Sequence, residues 1–299
     1  MSNAPPDPLV ESYCLDEYMD HSVYMELAKL EKDMGRRRIL EQLSVKELEH
    51  YRFWTIIAGE YRPELNRILL TAIMILRRLF GLTFTLKLLE RNEGKTIAGY
   101  KAYMGKLQGD QRVTLESIVR DEEEHERYFI SQINENVVRY MSFIVLGLAD
   151  AIVEITGVHA GFLGVTSSTL IAGIAGLVVG FAAAISMASA AYLQAKHDAS
   201  RSPTFSAMTT GIAYIGAVAF LALPYFLTHD MLLAFGTSVF FALALTASFT
   251  LYGAVLTDRS FVKEYALSVS LTLGTALAAF LFGEFLGRIF GVRQFLHLA

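Results

Sequence analysis

Cysteine is almost missing from this chain. Cys14 is the only one in 299 residues, which excludes an intramolecular disulfide and any cysteine-held zinc site. Proline is scarce as well, at six residues. None falls between Glu122 and Glu154, so one long helix is allowed through that stretch. The segment from Met1 to Asp16 has neither a basic leader nor an apolar core. No secretory signal is therefore expected, and the first domain is expected to stay in the cytoplasm. There is no stripe of Lys and Arg interleaved with aromatics, which argues against a nucleic-acid partner.

The most informative shortage is of charge in the second half. Residues 140–299 hold only 13 of the 56 Asp, Glu, Lys and Arg residues, and 1–139 hold the other 43. That asymmetry predicts two domains, a soluble one over 1–139 and a transmembrane one over 140–299.

In the first domain, Val10, Leu15, Met19, Val23, Leu27 and Leu30 recur at helical spacing and predict a helix from Leu9 to Asp33, closed by Gly35. A second helix is expected from Arg36 to Glu60, before Pro63. A third is expected from Leu82 to Leu107, before Gly109-Asp110, and a fourth from Gln111 on into the membrane. The apolar connection Leu65–Gly81 carries Arg77-Arg78, and its uninterrupted core is too short to cross a bilayer. It reads either as a crossover helix packed on the bundle or as an interfacial helix with its arginines toward lipid phosphates. Two helix pairs joined by one long crossover is ferritin-like connectivity. The expected fold class is therefore all-α, a ferritin-like four-helix bundle followed by five transmembrane helices.

Helix two carries Glu47-Leu48-Glu49-His50 and helix four carries Glu122-Glu123-Glu124-His125. Residues i and i+3 share a helix face, so each ExxH offers a carboxylate and an imidazole to one point. A single ExxH is common on charged helices. Two copies, with Glu17 on helix one and Glu90 on helix three, match the four-helix site that holds two iron or manganese ions. His21 reads as a supporting or surface residue, and Glu123, Glu124 and Glu126 as a solvated face.

Five apolar segments follow, at about 141–163, 169–193, 208–228, 231–256 and 265–287. Each is close to the twenty or so residues that cross a bilayer. Lys196, Arg201, Arg259 and Lys263 occupy the even-numbered connections. They place those loops and the N-terminal domain inside, although Arg288 and Arg293 at the far end oppose this. Gly157xxxGly161 and Gly176xxxGly180 permit close helix approach. Asp150 and Glu154 are four apart on one face of the first span, where charge is costly and usually marks an ion path; both lying at the interface is the plainer alternative. Met187 reads as packing or as a soft ligand, and Glu284 as an exit ligand or as a partner for Arg288.

Glu17 followed by Tyr24 and Leu27-Ala28, the two ExxH pairs, and Glu90xxGlu93 resemble the rubrerythrin and ferritin-like family. The resemblance implies Glu17, Glu47, His50, Glu90, Glu93, Glu122 and His125 as metal ligands. The cysteine-rich rubredoxin module common in rubrerythrins is not present. Gly147-Leu148-Ala149-Asp150-Ala151, Ile171 to Gly176, and Ile185-Ser186-Met187-Ala188-Ser189 resemble the vacuolar iron transporter family. That likeness implies Asp150 and Met187 along a metal path, with ferrous iron or manganese exchanged for protons across a homodimer. The chain departs from the plant pattern in having a short link between spans two and three, and Phe143 and Val179 where acids are associated with the path; Glu154 is the available substitute. Together the two likenesses resemble the membrane-bound ferritin, or rubrerythrin–iron transporter, family. The expectation is an inner-membrane exporter of Fe²⁺ or Mn²⁺ by proton antiport, fed by a di-iron domain, with Asp150, Glu154 and Met187 along the path. Two alternatives stay open: a membrane-anchored di-iron ferroxidase or peroxidase, and a scaffold or sensor in which the metal only fixes geometry.

Overall fold

A computed structural model describes residues 7–59, 61–91, 93–132, 136–198 and 201–291; the side chains of 126–132 and 136–139 are outside the description. The described residues are helical throughout, with no strand among them. They form two compact units, Met1–Ile133 and Asn134–Ala299.

The first unit contains α1 (Pro8–Leu30), α2 (Met34–Ile57), α3 (Arg67–Glu90), α4 (Glu93–Tyr103) and α5 (Asp110–Gln132). Asp7 caps α1, accepting from the Leu9 amide ahead of Pro8 in the first turn. Gly35 does not close the first helix as expected. The Asp33 carboxylate accepts from the Arg36 amide at 2.8 Å and starts α2, so Gly35 falls inside its first turn. The expected third helix is also different. It begins earlier, at Arg67, bends at Gly81 where φ is 88°, and ends at Glu90; a turn at Arg91 precedes α4. A glycine tolerates that left-handed backbone, so the crossover and the third helix join through a kink rather than a loop.

Two apolar layers hold this unit together. One joins Tyr13, Cys14, Trp54, Tyr100, Leu115 and Ile118, from α1, α2, α4 and α5. The other joins Met19, Val23, Leu27, Leu40, Ile73 and Leu82, from α1, α2 and α3. Glu17 lies between Cys14 and Met19 in sequence, and Glu47 and His50 between Leu43 and Phe53. The helix repeat therefore sets these polar residues in a buried band between the layers.

The second unit contains α6 (Asn136–Val165), α7 (Thr169–Lys196), α8 (Pro203–Leu227), α9 (Met231–Leu256) and α10 (Phe261–Ile289). An unbroken helix from α5 into α6 is an expectation that falls on residues 133–135, outside the described residues. Among the described residues, six helices are long and apolar enough to cross a membrane, the make-up of a multi-pass membrane protein. Five are the stretches anticipated within 140–299, and the sixth starts at Arg67, in the first unit. The small residues have a specific use. At Gly283 a Cβ would lie 2.2 Å from the Gly161 carbonyl, so α6 and α10 approach backbone to backbone.

Candidate metal centre

Glu17 (α1), Glu47 and His50 (α2) and Glu122 (α5) are all buried. Each offers a ligand atom within 4.8 Å of the others'. Glu93 (α4), Glu122 and His125 (α5) form a second such group, and Glu122 belongs to both.

The contacts around the histidines define the arrangement. His50 Nδ1 lies 2.8 Å from Glu122 Oε1, 3.3 Å from Glu47 Oε2 and 3.5 Å from Glu17 Oε2. His125 Nδ1 lies 3.5 Å from Glu47 Oε1 and 3.6 Å from Glu122 Oε2. Glu47 and Glu122 thus each present one oxygen to one histidine and the second oxygen to the other. The two rings are 6.3 Å apart, centre to centre. Carboxylates shared between two histidines in this way form a buried cluster that could hold a metal ion.

The donor set fits a metal on independent grounds. His50 Nδ1 and His125 Nδ1 are buried among carboxylate oxygens, yet neither is aligned for a hydrogen bond with them, and Glu93 Oε2 is buried without one. Groups that converge on a point without bonding one another leave a buried position for a cation.

Electrostatics agree. Burial, then the neighbouring charges of Glu47 and Glu122, hold Glu17 well above the usual carboxylate range. Burial and Glu122 likewise push Glu93 up. Burial would also raise Glu47, but its contacts with His125 and His50 override this and leave it well below normal. Burial alone would lower the histidines; instead Glu122, Glu17 and Glu47 raise His50, and Glu122 and Glu47 raise His125 to about 9. A metal ion binding to these groups would therefore have to displace protons from them.

Glu90 is buried at the end of α3 but belongs to neither group. Glu93 opens α4 on the far side of Asn92, which lies outside the described residues. His21 is not among the grouped ligand atoms; its Nδ1 lies 2.6 Å from the Ser44 carbonyl and ties α1 to α2.

Three contributors escaped the sequence reading. Asp121 lies 3.7 Å from His50 Nε2, beyond hydrogen-bond reach, and is itself paired with Lys46 at 3.0 Å, so it adds a negative charge beside the imidazole. Its signal was present as the residue before the second ExxH, but it was masked by the acidic run that follows. Tyr100, fully buried, donates its hydroxyl to Glu17 Oε1. Asp20 sits with Asp16 in a cavity of about 490 Å³ that reaches Glu17, Glu47, Glu93 and Glu122. Burial and the charges of Glu47 and Glu122 hold Asp20 well above its ordinary value.

In the second unit, Glu154 is half-buried and accepts a hydrogen bond from the Tyr214 hydroxyl of α8. Asp150 is exposed on the surface of the protomer. Met187 packs at the edge of the core formed by Ile152, Ile155, Ala184 and Tyr214. Glu284 accepts from Arg288 at 2.9 Å, the local pairing anticipated as one of its two readings.

Comparison with known proteins adds no kinship to this geometry. No family model matches the chain, and neither a curated protein nor a solved structure matches it significantly.

Proposed function

We propose that this chain exports ferrous iron or manganese from the cytoplasm in exchange for protons, and that its first unit is a cytoplasmic di-iron centre that binds and delivers or senses the same ion. One observation carries the reading. Glu47 and Glu122 each face both His50 and His125, in a chain whose first apolar span also bears Asp150 and Glu154. Glu17 and His50 would hold one ion and Glu93 and His125 the other, with Glu47 and Glu122 shared. Bound iron would supply redox capacity toward oxygen or peroxide. The protein residues arrange the rest: Tyr100 positions Glu17, Asp121 adds negative charge beside the His50 ring, and the apolar layers exclude water.

Five spans between residues 140 and 289 would form the transport unit. The stretch at 67–80 precedes the kink at Gly81, and at 1.5 Å per residue it reaches only about 21 Å, short of the ~30 Å of hydrocarbon. Its exposed Ile68, Ile75 and Leu79, with Arg67 and Arg78, suit an interfacial helix instead. Asp150 lies about 15 Å along α6 from Tyr140, near mid-span, and a charge there is costly against lipid. Its exposure supports a homodimer in which a second copy covers that face and completes the path with Glu154 and Met187.

Proteoliposomes loaded to opposite pH should accumulate Fe²⁺ or Mn²⁺ against a proton gradient, and Asp150→Ala should abolish it. Absence of wild-type flux would overturn the reading, as would unchanged flux in the variant. The buried Tyr100 hydroxyl on Glu17 favours a second reading, a membrane-anchored ferroxidase or peroxidase. It requires turnover that survives Asp150→Ala and fails in Glu47→Ala.

A further inference from the structure

Away from the acid pair, the second unit buries an imidazole with nothing to bond. His159 of α6 is 0 % exposed, and neither ring nitrogen is hydrogen-bonded among the described residues. Its ring lies 4.1 Å from that of Tyr225 on α8, tilted by 37°. The Tyr225 hydroxyl and that of Thr156, one turn before His159, are also buried and without a hydrogen bond. A neutral imidazole needs both a donor and an acceptor partner, and leaving such buried groups unpaired is unfavourable.

The backbone is shaped around this group. At Gly176 of α7 a Cβ would lie 2.3 Å from His159 Nε2, and at Gly173 one would lie 2.9 Å from the Tyr225 Cβ. Two glycines one turn apart thus make room for the two rings. The site is distinct from the acid pair. His159 follows Glu154 by five residues, which turns it about 140° around the helix, and it lies about 14 Å beyond Asp150 toward the other end of α6.

We infer that His159, with Tyr225 and Thr156, forms a proton-transfer site in the far third of the transport unit. The inference rests on the transport reading and adds to it a separate residue for the counter-ion. The ligand is a proton rather than a metal because the set is neutral: Tyr225 is the titratable group facing His159 from α8, and α7 carries no Asp, Glu, Lys, Arg or His between Thr169 and Gln194. A divalent ion there would be buried without compensating charge. The charged groups of adjoining elements at that end are His229 and Asp230 in the α8–α9 turn, and Glu284 with Arg288 on α10. The ring takes up a proton from water on one side at its lone-pair nitrogen and releases the proton of the other nitrogen to water on the other side; it is then neutral as the opposite tautomer, and a ring flip restores the starting state.

The test uses full-length protein in liposomes containing a pH-sensitive dye, with Mn²⁺ as the redox-stable probe. In His159→Gln, Mn²⁺ movement down its own gradient should persist, while proton counter-movement per Mn²⁺ falls about tenfold, a small share of what a placed acid–base group supplies. Unchanged stoichiometry would overturn the inference. Should His159→Gln fail to fold, Tyr225→Phe decides in the same assay, since it keeps the ring and removes the hydroxyl; unchanged stoichiometry there overturns it equally. Asp150→Asn separates the two claims, because it should stop both fluxes. If wild-type protein moves neither ion, the transport reading fails and this inference falls with it.

Discussion

Glu122→Ala tests the candidate centre most directly, because Glu122 is the side chain common to both ligand groups. Its two oxygens lie 2.8 Å from His50 Nδ1 and 3.6 Å from His125 Nδ1, on a residue 4 % exposed. Removing one partner of a buried charged pair costs about 3–5 kcal/mol. At 1.4 kcal/mol per factor of ten, a loss of that size weakens metal binding by roughly 10²- to 4 × 10³-fold. Full-length protein in detergent, equilibrated with Mn²⁺ under anaerobic conditions and measured by elemental analysis, should hold two ions per chain. Glu122→Ala should hold one or fewer at the same free concentration. Glu124→Ala, two positions away and exposed, is the control and should match wild type. Two ions bound to Glu122→Ala with undiminished affinity would refute the shared-carboxylate reasoning.

Three other outcomes are expected. Without metal, His125 titrates near 9 in the folded chain against 6.5 when unfolded, so folding gains stability below pH 6.5 and loses it as pH rises toward 9. Glu93, raised above its usual value, acts in the same direction above about pH 4.5; the thermal midpoint of metal-free protein should therefore fall across pH 6.5–9, and bound Mn²⁺ should flatten the slope. Asp121→Asn removes a negative charge 3.7 Å from His50 Nε2 and should weaken metal affinity by about tenfold in a competition titration while keeping two ions per chain. Gly283→Ala forces a Cβ against the Gly161 carbonyl and should destabilise the membrane unit by about 1–3 kcal/mol, seen as a lower detergent melting temperature with unchanged metal content.

Much of this molecule is written in local pattern. The spacing of Glu47 to His50 and Glu122 to His125 marks one face on each helix, and the apolar runs after Tyr140 mark spans by length alone. What pattern did not reveal depends on distance in sequence or on competition between signals. Tyr100 reaches Glu17 across 83 residues, and nothing in the neighbourhood of either residue indicates the other. Gly35 looked like a helix end because the Asp33 cap, two residues earlier, competes for the same turn and wins. Gly176 was legible as a small residue at a contact, but that its contact is an imidazole could not be read until α6 and α7 were packed.

The layering of the first unit sets how an ion gets in. One layer carries Tyr13, Trp54 and Tyr100, the other is mostly aliphatic, and the carboxylates lie in the band between them. A hollow bordered by Asp16 and Asp20 leads into that band, to Glu17 and Glu93. A cation would arrive sideways between helices, meeting carboxylates one after another and shedding its water gradually.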